Sequence, residues 1–323
     1  MTESMKILIG YDGSECAKAA LDDLKRAGLP GTAEAHVLSV AEVWLPPPPP
    51  SSYEIVESAL GVKITGGHER GYARASAAIT GAQALAEFAC TQLKTRFPHW
   101  DVLAETRCGS PAWELVFKAD QWKPDLIVVG SHGRTALGRF VLGSVSQRVL
   151  TEALCSVRIA RGRVEELAGP EELASPVRVI IGLDGSDASQ AAVKAVATRT
   201  WPPGSEAKLM VVNDPFLSAS VGELILPVDK TAEEEINEEL LWAEEIVNEA
   251  EAHLSNSAIK VTKVLRQGCP KAELSKAAEE WSADCIFLGA TGFSNRFERF
   301  LLGSVSATVA ARVHCSVEVI RNT

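Results

Sequence analysis

The chain contains the same unit twice. Residues 9–20 read IGYDGSECAKAA and residues 181–192 read IGLDGSDASQAA, identical at 7 of 12 positions. Further on, FVLGSVS at 140–146 returns as FLLGSVS at 300–306, identical at 6 of 7. A repeat of this length confines the fold to a unit built twice over, each copy with enough residues for a core. The offset between copies falls from 172 at the first motif to 160 at the second, so the first copy carries extra residues in between. They sit where WLPPPPPSSYEIVESALG (44–61) lies, a proline-rich run that reads as a long surface excursion. VEELAGPEELASP (164–176) is short, acidic and punctuated by Gly and Pro, and reads as a linker. The expected division is a first domain at 1–162, a linker at 163–177 and a second domain at 178–323. The total of 323 residues agrees with two domains of roughly 150 residues each.

Within each copy, apolar β-rich runs alternate with helical stretches. The first copy offers strands at KILIGYD (6–12), AHVLSVAEV (35–43), DVLAETRCG (101–109), DLIVVGS (125–131) and SVRIAR (156–161). Its helices are expected through CAKAALDDLKRAG (16–28), 74–97, PAWELVFKADQW (111–122) and Gly143–Ala153. The second copy follows with strands VRVIIGLD (177–184), AKLMVVND (207–214), KVTKVLRQG (260–268), DCIFLGA (284–290) and SVEVIR (316–321). Such alternation predicts an α/β fold with a parallel sheet and helices on both faces, twice. EEEINEELLWAEEIVNEAEAHL (233–254) keeps Ile236, Leu240, Ala243, Val247 and Ala250 at helical spacing, and its acidic residues read as a solvated face.

Several function classes are disfavoured at this level. No apolar run approaches the ~18 residues of a membrane span, and MTESMKILIG lacks the apolar core of a secretory signal. The net charge of −10 disfavours an extended nucleic-acid surface. That charge is unevenly spread: residues 1–162 hold 17 basic and 17 acidic side chains, residues 163–323 hold 15 and 25. The first copy is therefore the better host for an anion. Seven cysteines without a C-x-x-C pair fit reduced thiols and a cytoplasmic location, with no disulfide framework and no metal expected.

Ligands of open α/β sheets bind beyond the carboxyl ends of the strands. There the chain places Gly130-x2-Gly133-x9-Gly143-Ser144, a glycine loop that follows a buried strand and precedes a helix. Glycines let backbone N–H groups approach a phosphate, and the helix N-terminus at Gly143-Ser144 favours an anion. Arg134 and Arg139 add positive charge. The same residues would also serve as a plain turn, with Ser144 or Ser146 as a helix cap. Gly133-x4-Gly138 is not a P-loop, because Arg139 and Phe140 replace the lysine and the hydroxyl. Asp12 and Asp184 end the first strand of each copy within D-G-S. Each can accept from ribose hydroxyls or a phosphate-bound metal, or it can close an Asx-turn. His132 has no acidic partner in sequence and reads as a loop spacer, and no catalytic constellation is evident.

The D-G-S at strand one, G-S-P-A at 109–112 and the long glycine signature resemble the universal stress protein family in its tandem form, over about 6–161 and 178–321. The resemblance implies two doubly wound five-stranded parallel sheets of order 3-2-1-4-5. It also implies pairing of the two repeats through the fifth strand and further self-association as a homodimer. It implies the ATP-binding branch, with ATP and Mg2+ as ligand. Carried over, Tyr11 and Asp12 would lie by the ribose and phosphates, and the Val40 backbone would meet adenine. Gly130, His132, Gly133, Arg134, Gly143, Ser144, Val145 and Ser146 would line the phosphate path. The second copy offers Leu183, Asp184, Val212, Gly289, Thr291, Gly292, Gly303 and Ser304. Its loop has ten residues between Gly292 and Gly303 instead of nine, and contains Arg296, Phe297 and Glu298. The extra residue is expected to displace the second glycine pair relative to its helix, and Glu298 to repel phosphate, weakening that site. Three roles stay open: a regulatory ATP-binding module with little or no hydrolysis, a slow ATPase, and a nucleotide-free scaffold.

Overall fold

The computed structural model describes residues 4–43, 67–133, 142–162, 175–214, 232–291 and 302–321. The first repeat runs β1 (Met5–Gly10), α1 (Glu15–Asp23), β2 (Ala33–Ala41), α2 (Gly67–Arg96), β3 (Asp101–Cys108), α3 (Pro111–Trp122), β4 (Leu126–Gly130), α4 (Ser144–Glu152) and β5 (Ser156–Ala160). The second runs β6 (Arg178–Leu183), α5 (Asp187–Ala197), β7 (Glu206–Asn213), α6 (Ala232–Leu254), β8 (Lys260–Gln267), α7 (Pro270–Trp281), β9 (Cys285–Gly289), α8 (Ser304–Arg312) and β10 (Ser316–Ile320). The proline-rich excursion at 44–61 and linker residues 163–174 lie outside the described residues.

Local chemistry sets the element ends. Ser14 and Ser186 cap α1 and α5 by accepting from the N–H groups of Ala17 and Ser189, both at 3.1 Å. Pro111 and Pro270 occupy the first turns of α3 and α7, where a missing N–H costs nothing. Helix α1 stops before the predicted end at Gly28, because its last turn tightens into a 3-10 turn at Leu24–Arg26. Helix α2 starts at Gly67, ahead of the predicted 74. In α6 the buried face is Ala243, Ile246, Val247, Ala250 and Leu254. Leu240, expected in that stripe, is 46% exposed.

The strands form a single sheet of order β3-β2-β1-β4-β5-β10-β9-β6-β7-β8. Each half keeps the 3-2-1-4-5 order, and strand neighbours are parallel except at the centre, where β5 and β10 run antiparallel. The register there places Arg158 opposite Glu318, flanked by Val157 opposite Val319 and Ile159 opposite Val317. On the face covered by α3, α4, α7 and α8, one apolar core crosses this junction, with Val157, Ile159, Val317 and Val319 at its middle. On the face covered by α1, α2, α5 and α6 the core is in two parts, one per repeat. Between those parts lie the buried Asp23, Arg158 and Glu318 together with Arg199.

The ends of the two central strands clasp each other reciprocally. Arg161 donates its backbone N–H to Ser316 Oγ at 2.9 Å and its guanidinium to the Ala310 carbonyl at the end of α8, at 2.7 Å. Arg321 does the same toward Ser156 Oγ at 3.2 Å and the Leu150 carbonyl at the end of α4, at 2.7 Å. Each arginine thereby satisfies an orphan carbonyl at the negative end of a helix in the other repeat.

Two stability measurements check this packing. A Cβ at Gly130 would stand 2.8 Å from the Cys16 carbonyl oxygen, against backbone that cannot rotate away. Gly130→Ala is expected to cost about 1–3 kcal/mol in urea unfolding, and Gly31→Ala, which meets nothing within 4 Å, well under that. His36 stacks on Trp122 at 4.0 Å, and burial followed by the Lys118 charge lowers its pKa from the ordinary 6.5. The unfolded chain then binds more protons than the folded one as pH falls below 6.5, so stability falls with it. His36→Gln should flatten that part of a pH–stability curve.

Candidate functional site

The carboxyl ends of β1 and β4 lie side by side, since Ile7–Ile9 pair with Leu126–Val128. Two loops leave this edge. The first is Tyr11-Asp12-Gly13-Ser14, which turns into α1 through Gly13 at φ +78°. Asp12 Oδ1 accepts from the Ser14 N–H at 2.9 Å, which is the Asx-turn geometry. Tyr11 is buried beneath the loop, and its N–H donates to the Leu38 carbonyl at 3.0 Å.

The second loop begins at Gly130 and is described as far as Gly133. Gly130 has to be glycine because the first turn of α1 rests on it. The loops are tied together where Ser14 Oγ donates to the His132 carbonyl at 3.5 Å. A Cβ at Gly133 would lie 3.1 Å from Asp12 Oδ2, so the missing side chain leaves that carboxylate approachable from the loop. Gly143 returns to the same place: its N–H donates to the Ser131 carbonyl at 2.9 Å, and a Cβ there would come within 3.2 Å of His132 Cα.

Gly143 is the N-cap of α4 and makes no side-chain cap bond, and no acidic residue stands in that helix's first turn. Ser144 is exposed beside it. Ser146, by contrast, is buried, and its hydroxyl donates to the Gly130 carbonyl at 2.6 Å. Its side chain ties helix to strand, while Val145 is partly buried against the shared core. Val40 lies in β2 with its side chain packed against that same core, which leaves its backbone as the part at the strand's end. Thus Asp12, Gly130, His132, Gly133, Gly143 and Ser144 are brought together at one sheet edge. Arg134, Arg139 and Gly138 lie outside the described residues.

Two neighbours of His132, Ser131 and Arg161, carried no motif in sequence. Ser131 is buried, with its hydroxyl 3.1 Å from His132 Nδ1 and 3.8 Å from Cys16 Sγ. His132 Nε2 is enclosed and has no hydrogen-bond partner among the described residues. Burial first, then the nearby Arg161 charge, lowers the His132 pKa, which keeps the imidazole neutral near pH 7. Arg161 comes from the far end of β5, so only the fold could bring it to this loop.

The second repeat builds the same edge with different details. Asp184 Oδ1 accepts both the N–H and the hydroxyl of Ser186, at 3.1 and 2.6 Å. Ser186 Oγ is also 3.4 Å from the Thr291 carbonyl. Gly289 packs on Ala188 and Ser189 as Gly130 packs on Cys16 and Ala17. Leu183 is buried at the end of β6, and Val212 packs against the shared core. The expected displacement of the second glycine pair does not occur. Gly303 caps α8 as Gly143 caps α4, and its N–H donates to the Ala290 carbonyl at 2.6 Å, the counterpart of Ser131. Residues 292–301, with Arg296, Phe297 and Glu298, lie outside the described residues. One difference is visible: Ser306 Oγ donates to the Ala290 carbonyl at 3.3 Å, one residue beyond the contact made by Ser146.

Comparison with known proteins places this architecture. The model of the universal stress protein family matches twice, over residues 3–161 and 177–321. A universal stress protein of Methanocaldococcus jannaschii is 31% identical over 164 residues, covering 48% of this chain and 81% of its own. One from Thermus aquaticus is 34% identical over 157 residues, covering 48% of this chain and 97% of its own. The crystal structure of a universal stress protein from Archaeoglobus fulgidus superposes with a TM-score of 0.59 at 20% identity, covering 99% of this chain and 100% of that one, which speaks to the fold. With the family's model matched once in each repeat, the chain belongs to the universal stress protein family.

Proposed function

We propose that the chain is a regulatory nucleotide-binding module that takes ATP with Mg2+ in its first repeat, with little or no hydrolysis. Nucleotide occupancy then reports a stress or growth state in the cytoplasm, with the protein able to self-associate as a homodimer. The observation that carries this reading is the meeting of two loops and an open helix N-terminus at the carboxyl ends of β1 and β4. Gly133 is exposed and leaves the space beside Asp12 without a side chain, Gly143 ties the loop to the start of α4, and the first turn of α4 has no acidic side chain to compete with an anion. In this reading the N–H groups at the start of α4 receive the phosphates, and Ser144 is the exposed hydroxyl beside them. Asp12 sits at the edge of the path, where it can meet a ribose hydroxyl or the phosphate-bound Mg2+. His132 holds the two loops together through its carbonyl, which accepts from Ser14 Oγ at 3.5 Å.

The second repeat is the weaker host. Its half of the chain holds 15 basic against 25 acidic side chains, its loop carries Glu298, and Thr291 replaces the histidine. All seven cysteines are unpaired, which suits a reducing compartment.

A charge placed at the start of each last helix separates binding from folding. Ser144→Asp sets a carboxylate in the first turn of α4, where it favours the helix by about 0.3–1 kcal/mol yet repels a phosphate. The variant is expected to keep its melting temperature and lose nucleotide affinity at least tenfold, read by fluorescence of a labelled ATP analogue. Ser304→Asp, its counterpart in α8, should leave affinity within about twofold. Unchanged affinity in Ser144→Asp would place the nucleotide elsewhere.

A further inference from the structure

The antiparallel junction is almost its own mirror. With an offset of 160, Ser156, Val157 and Arg161 of the first repeat recur as Ser316, Val317 and Arg321, and Ile159 recurs as Val319. Every one of these positions would accept a second copy of itself. The serine–arginine clasps are already reciprocal, and the Val and Ile side chains form one apolar core. The central position departs from this symmetry: Arg158 recurs as Glu318, and the two face each other in register.

Both side chains are sealed from water, at 0% and 1% exposure. Arg158 Nη1 donates to Glu318 Oε2 at 3.0 Å. Each also carries a private counter-ion from its own repeat. Asp23, at the end of α1, takes the Arg158 guanidinium through both oxygens, at 2.6 and 3.1 Å. Arg199, just after α5, pairs with Glu318 and lies 4.9 Å over the Phe287 ring. The counter-ions are as asymmetric as the central pair, because the 172 offset sets Asp23 opposite Ala195 and Arg199 opposite Ala27. Ser316 Oγ donates to Asp23 Oδ1 at 2.7 Å, which joins the chain of charges to the clasp of the other repeat.

We propose that this buried charge inversion makes the fifth-strand junction selective: the first repeat accepts the second repeat and rejects another first repeat, and the converse. A homotypic pair in the same register would bring Arg158 onto Arg158, or Glu318 onto Glu318, in a site closed to water. There salt screens the like charges little, and each would keep only the counter-ion of its own repeat, Asp23 or Arg199, and lose the partner it has across the junction. The partner that β5 fits is therefore β10 with its Glu318–Arg199 pair, and the self-pairing that the remaining symmetry permits is blocked. Buried ion pairs often add little net stability, and the best-attested reason to keep them is choice of partner and register. This inference stands on the junction alone and holds whether or not nucleotide binds.

The test separates the repeats after the chain has folded. A protease site introduced within 163–174 of the full chain is cut, the product is unfolded in urea, returned to buffer and weighed by native mass spectrometry. First–second pairs are expected to outnumber either homotypic pair by at least a hundredfold. A statistical mixture of one to two to one would overturn the proposal. Should the cut repeats fail to refold, the uncut chain gives a second reading. Glu318→Arg, which sets a second arginine against Arg158, should open the junction and expose the amides of β5 and β10 to hydrogen exchange far more than Glu318→Gln, which removes the charge without reversing it. Equal behaviour of the two variants would overturn the proposal as well.

Discussion

The structure depends on how two edge strands are joined. A five-stranded parallel sheet ends at β5 with a row of unpaired backbone groups, which is an open invitation to pair with another strand. Here β10 fills that edge antiparallel, and ten strands become one sheet. On one face the join is apolar and continuous. On the other it passes through Asp23, Arg158, Glu318 and Arg199, which sum to zero charge and leave Arg158 and Glu318 fully paired. Burial works against the Arg158 charge, but Asp23 and Glu318 outweigh it and raise its pKa well above the ordinary value. Removing one partner would strand a buried charge, at a cost of about 3–5 kcal/mol.

The proposed nucleotide edge and the junction are neighbours through β5. Gly130 pairs in register with Ala160, so the glycine loop begins level with the last residue of β5, one residue before Arg161 reaches into the second repeat. Arg161 is half-buried, and its guanidinium rests on the carbonyls of Ala310 and Cys315. Its charge still reaches His132 in the loop. A phosphate arriving at α4 would therefore enter a field set partly by a residue anchored in the other repeat. The reciprocal arginine, Arg321, anchors to Leu150 and Cys155 and completes the same link from the second side.

Much of this was legible in the residues. Duplicated motifs gave two repeats, and continuous apolar runs such as DLIVVGS and DCIFLGA gave buried parallel strands, because such strands are covered on both faces. Glycine spacing located the loop that Gly130 and Gly143 build. Other features were hidden for identifiable reasons. Arg158 and Glu318 sit in SVRIAR and SVEVIR, where an alternating charge ordinarily marks a solvated face, and only the antiparallel pairing buries them. Asp23 and Arg199 are distant in sequence from the strands they neutralise. The extra residue in the second loop suggests a displaced Gly303, yet Gly303 caps its helix as Gly143 does, because its N–H is held by the Ala290 carbonyl. Leu240 keeps helical spacing but is exposed, in contrast with Ala243 one turn later.

The central functional claim is that one repeat of the pair holds nucleotide. Its most direct test is a calorimetric titration of the nucleotide-stripped full chain with ATP and Mg2+, read as stoichiometry per chain. The account predicts one site per chain, abolished by Ser144→Asp and retained in Ser304→Asp. A folded chain that takes up no nucleotide would contradict it and leave the glycine loops as architecture alone. Two equal sites would contradict the assignment to the first repeat.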